Sequence, residues 1–288
     1  MARYLDPKND LTFKRIFGEH KHLCISLINS MLPLAYPVIS IEYLPSELTP
    51  DIPEKKNSIV DVRCTDPTGR QFIVEMQMYW TDSFTSRVLF NASKAYVKQL
   101  KRGRDYTLLQ PVYALAFVDD IFEPANLSEY YHHYKVVNVK DTGKQIEGLE
   151  FIFIELPKFK PGNKGEKKLH ELWLSFLNIQ DSSREVPEEL LQEADTREAL
   201  SYLEEGTYTD DEMYLYDKYW DAVSVEKTLI ADGLAEGEAK GRAEGEAKGR
   251  AEGEAERKAL ETALEKEKNE RAALEAEIAE LKKMRTKE

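Results

Sequence analysis

The chain has 288 residues, 42% of them hydrophobic and 32% charged, with a formal net charge of −13. That length and apolar content suffice for one good-sized core plus an appendage, and no run of about 18 apolar residues is present to cross a membrane as a helix. The acidity argues against a nucleic-acid partner only as a sum: residues 1–120 carry 15 Lys and Arg against 14 Asp and Glu, and the acidic excess lies entirely beyond them. Cys24 and Cys64, the only cysteines, sit in apolar patterns and read as reduced packing residues of a cytoplasmic protein. The first ten residues, MARYLDPKND, contain no apolar signal core.

In chain order, Asn9 or Asp10 caps a first helix whose apolar stripe is Phe13, Ile16 and Phe17. A second helix is predicted from His20 to Met31, ended by Pro33 and Pro37. Val38 to Leu44 reads as a strand, and 45–57 as a polar, proline-rich loop. Ser58 to Tyr79 then reads as a β-hairpin turning at Asp66-Pro67-Thr68-Gly69. Its register pairs Val60 with Met76, Val62 with Val74 and Cys64 with Phe72, all apolar. The other face pairs Asp61 with Glu75 and Ile59 with Gln77. Two like charges directly opposite destabilise a sheet. A divalent cation between them reverses the sign, because hard oxygen ligands suit Mg²⁺ or Mn²⁺. The plainer alternative is an exposed acid pair on a solvated sheet face, neutralised in part by Arg63.

Thr81 or Asp82 caps a long helix to about Lys101. Leu89, Ala92, Tyr96 and Leu100 fall on one side of it and Arg87, Lys94, Lys98 and Lys101 on the other, followed by Arg102 and Arg104. The basic side is either a solvated face or a phosphate-contacting stripe. Pro111 to Val118 is a buried strand, and 128–140 and 149–156 add two more. Tyr130, Tyr131, Tyr134 and the neighbouring histidines form an aromatic sheet face or, alternatively, a surface on which bases stack. Helices follow at 168–179, 187–204 and 210–230. The composition then shifts: AEGEAKGR occurs twice from Ala235, AEGEAERK follows, and Gly recurs every fourth residue from Gly233 to Gly253. This piece reads as a flexible, charge-balanced linker or, alternatively, as a weak helix whose Gly/Ala face lets partner helices approach closely. Leu260, Leu264, Leu274, Ile278 and Leu281 keep heptad spacing, interrupted by Glu267 and Arg271, which predicts a short coiled coil and a homo-oligomer.

Asp61 followed by Glu75-Met76-Gln77 on the next strand resembles the PD-(D/E)xK nuclease core, with Gln in the usual Lys position. Asp6 to Gly18, DPKNDLTFKRIFG, resembles the opening motif of its recombination-promoting nuclease or transposase-like branch, and Glu75-Met76-Gln77 resembles that branch's IEMQ signature. The glycine-rich tail resembles its C-terminal repeats. The resemblance implies an α/β fold, the αβββαβ restriction-endonuclease-like core with a mixed sheet flanked by helices. Residues 1–165 are then the nuclease-like domain, 166–230 a helical extension and 231–288 the repeat and coiled-coil tail. It implies DNA as the substrate of an endonuclease acting in recombination, mobile elements or defence. Asp61, Glu75 and Gln77 are the candidate catalytic residues. Asp61 and Glu75 hold Mg²⁺, with Mn²⁺ able to substitute. Either Asp10 completes the metal shell and Lys14 reaches a phosphate, or the two serve only in capping their helix. Arg87, Lys94, Lys98 and Lys101 are the further candidates for contacting nucleic acid. Two alternatives stay open: a degenerate nuclease fold that binds DNA or protein without cutting, and an adaptor working through its coiled coil.

Overall fold

Alternating side chains on the central strands feed two separate cores. A computed structural model describes residues 3–48, 58–101, 103–162, 168–181 and 183–285. Most of the loop at 45–57, Arg102 and the helical start at Glu166 lie outside the described residues, as does the side chain of Leu281. The elements are α1 (Asp10–Phe13), running into a π-helical turn (Lys14–Gly18), α2 (Lys21–Met31), β1 (Glu42–Tyr43), β2 (Glu47–Leu48), β3 (Ser58–Ile59), β4 (Val62–Thr65), β5 (Gln71–Gln77), α3 (Asp82–Val97) and β6 (Val112–Val118). They continue with β7 (Tyr131–Asn138), β8 (Asp141–Glu155), α4 (Leu169–Leu177), α5 (Glu188–Gln192), α6 (Ala194–Ser201) and α7 (Asp210–Arg285).

Six strands form one mixed sheet in the order β1-β4-β5-β6-β8-β7. β6 runs parallel to both β5 and β8, and the remaining pairs are antiparallel. A parallel centre needs cover on both faces. Phe72, Val74, Leu115, Phe117, Ile152 and Ile154 pack on the face carrying α1, α2, α4 and α6. Ile73, Ala114, Ala116, Val118 and Phe153 pack on the face carrying α3. The alanines of β6 let α3 approach closely, through Phe84, Val88, Ala92 and Ala95. Trp173 of α4, fully buried, meets Phe17 edge-on and donates to Ser26 on α2. The later helices therefore complete the same core as the sheet.

The hairpin register is as expected from Val62–Val74 to Thr65–Gln71. Gly69 takes φ +90°, the left-handed conformation that the turn requires. Beyond Val62 the expected ladder stops. Val60–Met76, Asp61–Glu75 and Ile59–Gln77 are not strand pairs, because the chain bends at Asp61 and β3 pairs with β2 instead. The Met76 N–H donates to Asp61 Oδ2 at 2.8 Å, so a carboxylate stands in for a backbone partner. Nor is the Glu75 face solvated, since α3 covers it. The first strand is also shorter than Val38–Leu44. Asn29 bonds both the N–H and the C=O of Val38 at 2.8 Å, occupying the groups a strand would pair. On α3 the inward face is Phe84, Val88, Asn91, Ala92 and Ala95, and Leu89 is exposed, so the buried side lies out of phase with the expected apolar stripe.

The chain divides into two compact units, Met1–Ser224 and Val225–Glu288. The expected boundary at residue 165 falls inside the first. In the second, the glycine repeat is helical, as part of α7. Each Gly costs a helix about 1 kcal/mol relative to Ala. Ion pairs one turn apart, such as Lys240–Glu236 at 2.7 Å and Arg271–Glu275 at 3.2 Å, offset a fraction of that. Leu260, Leu264, Leu274 and Ile278 are exposed along it. No described helix is long and apolar enough to cross a membrane.

Candidate active site

Three local structures converge on the kink at Asp61. The first is the opening motif. Asn9 caps α1, its Oδ1 accepting the Leu11 N–H at 3.0 Å, while the Thr12 hydroxyl donates back to the Asp6 carbonyl at 2.6 Å. This fold of the chain presents Asp10 and Lys14, joined as an ion pair at 2.7 Å, beside Asp61. The start of α7 fastens it: Tyr216 Oη accepts the Asp6 N–H at 2.8 Å and donates to Asp181, and Asn9 Nδ2 donates to the Tyr216 carbonyl at 3.1 Å. A groove of about 430 Å³ between the motif and α7 is lined by Asp10, Lys14, Arg15, Glu212 and Tyr219.

The second is β5, which alternation turns so that Glu75 faces α3 while Val74 faces the opposite core. The third is α3, which brings Asn91 and Arg87. Fully buried Asn91 donates to Glu75 Oε1 at 3.2 Å, and Arg87 Nη2 lies 3.9 Å from Glu75 Oε2. Burial pushes the Glu75 carboxyl up to about 7, aided by the charge of Asp61 and opposed by Asn91 and Arg87. Burial likewise raises Asp61 to about 6, with Asp10 adding to the rise; the Met76 N–H, Lys14 and Arg87 oppose it.

Two carboxylates drawn from water, each raised by its surroundings, form a pair that favours a cation. Among the described residues Asp61 Oδ1 and Glu75 Oε2 accept no hydrogen bond. Both are hard oxygen donors, so the pair fits Mg²⁺ or Mn²⁺. Asp10 is near enough for its charge to act on Asp61, but its carboxylate holds Lys14, and no cluster of three or more acids, histidines or cysteines suited to a metal occurs among the described residues.

Asp10, Lys14, Asp61, Glu75, Gln77 and Arg87 are thus brought together. Lys94 is not part of this cluster: it donates to the Leu48 carbonyl on β2. Lys98 lies about 16 Å further along α3 than Arg87 at helical rise, and Lys101 beyond the helix end. The aromatic face is occupied structurally, with His132 on Glu155 at 2.7 Å, His133 on Glu150 at 2.8 Å and the Tyr131 hydroxyl on the Met31 carbonyl at 2.9 Å. Tyr134 lines an aromatic cavity with Trp80, Phe122 and Phe153 that shares no residue with the acid cluster. Asn91 was missed in the sequence. Its signal was an amide three residues after Val88 and next to Ala92, on the inward face of a helix where Asn is a poor helix former.

Neither a curated protein nor a solved structure gives a significant match to this chain. The family model described as PD-(D/E)XK nuclease family transposase matches residues 7–232, a span that holds the opening motif from Pro7 on, the kinked hairpin, α3 and the first turns of α7. With most of its length matched, the chain belongs to the PD-(D/E)XK nuclease family transposases.

Proposed function

We propose that the chain is a metal-dependent DNA endonuclease that hydrolyses phosphodiester bonds, in the service of recombination, mobile elements or defence against foreign DNA. The observation that carries this is the pairing of buried Glu75 with half-buried Asp61, with Arg87 at the edge. Asp61 and Glu75 would hold Mg²⁺, or Mn²⁺ in its place. When bound, such an ion supplies Lewis-acid charge to a phosphoryl oxygen and acidifies a water. Asn91 holds the Glu75 carboxylate in place, and the Met76 N–H does the same for Asp61. Asp10 and Lys14 border the groove that DNA would enter. Lys98 and Lys101 would extend phosphate contact along α3, while Lys94 holds the Leu48 carbonyl. The exposed leucines of α7 support self-association as a homo-oligomer, and a cytoplasmic location is consistent with two unpaired, buried cysteines.

A second reading, binding without cleavage, is favoured by one observation: the Gln77 amide is committed to Tyr79 and Arg87. Cleavage of a supercoiled plasmid in Mg²⁺, Mn²⁺ and EDTA separates the two. The wild type should nick and linearise the plasmid with either ion and not in EDTA. Asp61→Ala and Glu75→Ala should each abolish cutting while binding persists. Binding with no metal-dependent cleavage selects the second reading.

A further inference from the structure

Gln77 carries no charge, and its amide is held at both ends. Nε2 donates to the Tyr79 carbonyl at 2.8 Å, and Oε1 accepts from Arg87 Nη2 at 2.6 Å. A carbonyl only accepts and a guanidinium only donates, so these partners fix which way the amide points. The Arg87 guanidinium also lies over the Phe84 ring, 4.9 Å from its centre. It makes no other hydrogen bond among the described residues, and its side chain is 48% exposed. A charged, planar fork is therefore aimed by two neighbours and open on its outer side, 3.9 Å from a candidate metal ligand.

We infer that Arg87 is a catalytic residue that places positive charge on the scissile phosphate, and that Gln77 is a positioning residue that aims it. This rests on the cleavage reading above. In hydrolysis the oxygen of water bonds to phosphorus as one P–O ester bond breaks. One proton of that water ends on the leaving alcohol, and the other stays on the new monoester or passes to solvent. Negative charge is redistributed over the phosphoryl oxygens on the way, and a fixed guanidinium stabilises it without reorganising. Lys14 is the rival cation, but it is paired with Asp10 at 2.7 Å and acts on the Asp61 side of the pair.

The test is steady-state plasmid cleavage with the full chain in Mn²⁺. Arg87→Ala should lower kcat about 10²–10³-fold, the cost of removing one preorganised charge-stabilising donor, with KM nearly unchanged. Gln77→Ala should lower kcat less, again with KM held. Gln77→Lys in the Arg87→Ala background should recover at least tenfold, because it returns an ammonium to the same edge. In EDTA, Arg87→Ala should reduce the salt dependence of duplex binding by no more than about 0.9, the value of one phosphate contact. The inference is overturned by an Arg87→Ala enzyme with wild-type kcat, by a loss confined to KM, by no recovery in the double variant, or by a larger kcat loss in Lys14→Ala. Each of those leaves wild-type, Asp61-dependent cleavage standing. A wild type that never cuts removes the cleavage reading and this inference together.

Discussion

Glu75 would normally be charged at neutral pH, yet burial beside Asp61 raises it to about 7 and Asp61 to about 6, from ordinary values of 4.5 and 3.8. Asp6, buried against Lys8, is also raised to about 6. Between the ordinary and raised values the folded state holds protons that the unfolded chain has lost. Stability without divalent ions must therefore fall as pH rises through that window. Thermal unfolding in EDTA should give a higher Tm near pH 5.5 than near pH 7.5. Glu75→Gln should flatten the dependence, and Mg²⁺ should raise the Tm at the higher pH only. A Tm in EDTA that climbs with pH over this range contradicts the assignment. The acids themselves were legible in the sequence, through the apolar pairs Val62–Val74 and Cys64–Phe72 that fixed the register. Their setting was not. A carboxylate that replaces a backbone partner, as Asp61 does for Met76, has no signature in an alternation of polar and apolar residues.

At the scale of elements, α3 shows where periodicity misleads. Its start at Asp82 was readable, but it ends at Val97 rather than near Lys101, and Leu89 is exposed and Asn91 buried, so the inward face is rotated from the expected one. A polar residue whose partner is a distant buried acid is scored as surface by any pattern rule. The same rotation divides the basic stripe. Arg87 turns to Glu75, Lys94 to the β2 backbone, and Lys98 and Lys101 follow at the far end. Lys98→Ala with Lys101→Ala should weaken duplex binding and flatten its salt dependence by up to about 0.9 for each lost contact. Lys94→Ala should chiefly lower the Tm, by freeing the Leu48 carbonyl. Fluorescence anisotropy across a salt series reads the first effect. An unchanged slope in the double variant would assign those two lysines to solubility.

At the scale of the whole molecule, the αβββαβ order was readable because each element had its own period and punctuation. The reach of the first unit to Ser224 was not, because the bonds from Tyr216 to Asp6 and Asn9 span more than 200 residues. Two truncations separate the roles of α7. A chain ended before Ala231 should fold and cut, and light scattering should show a smaller assembly than the full chain forms. Equal, monomeric masses per particle for both would exclude self-association through the tail. A chain ended before Asp210 should lose cleavage, since the bonds that tie Asp6 and Asn9 to Tyr216 are then gone. The order of synthesis gives that tie a further meaning. A ribosome exposes Asp10, Asp61 and Glu75 long before it reaches Tyr216, so the nascent chain carries every acid of the site without the residue that fastens its opening motif. On the proposed activity, competence to cut would arrive late in translation, and chains that stall or are clipped upstream of α7 would be released disarmed.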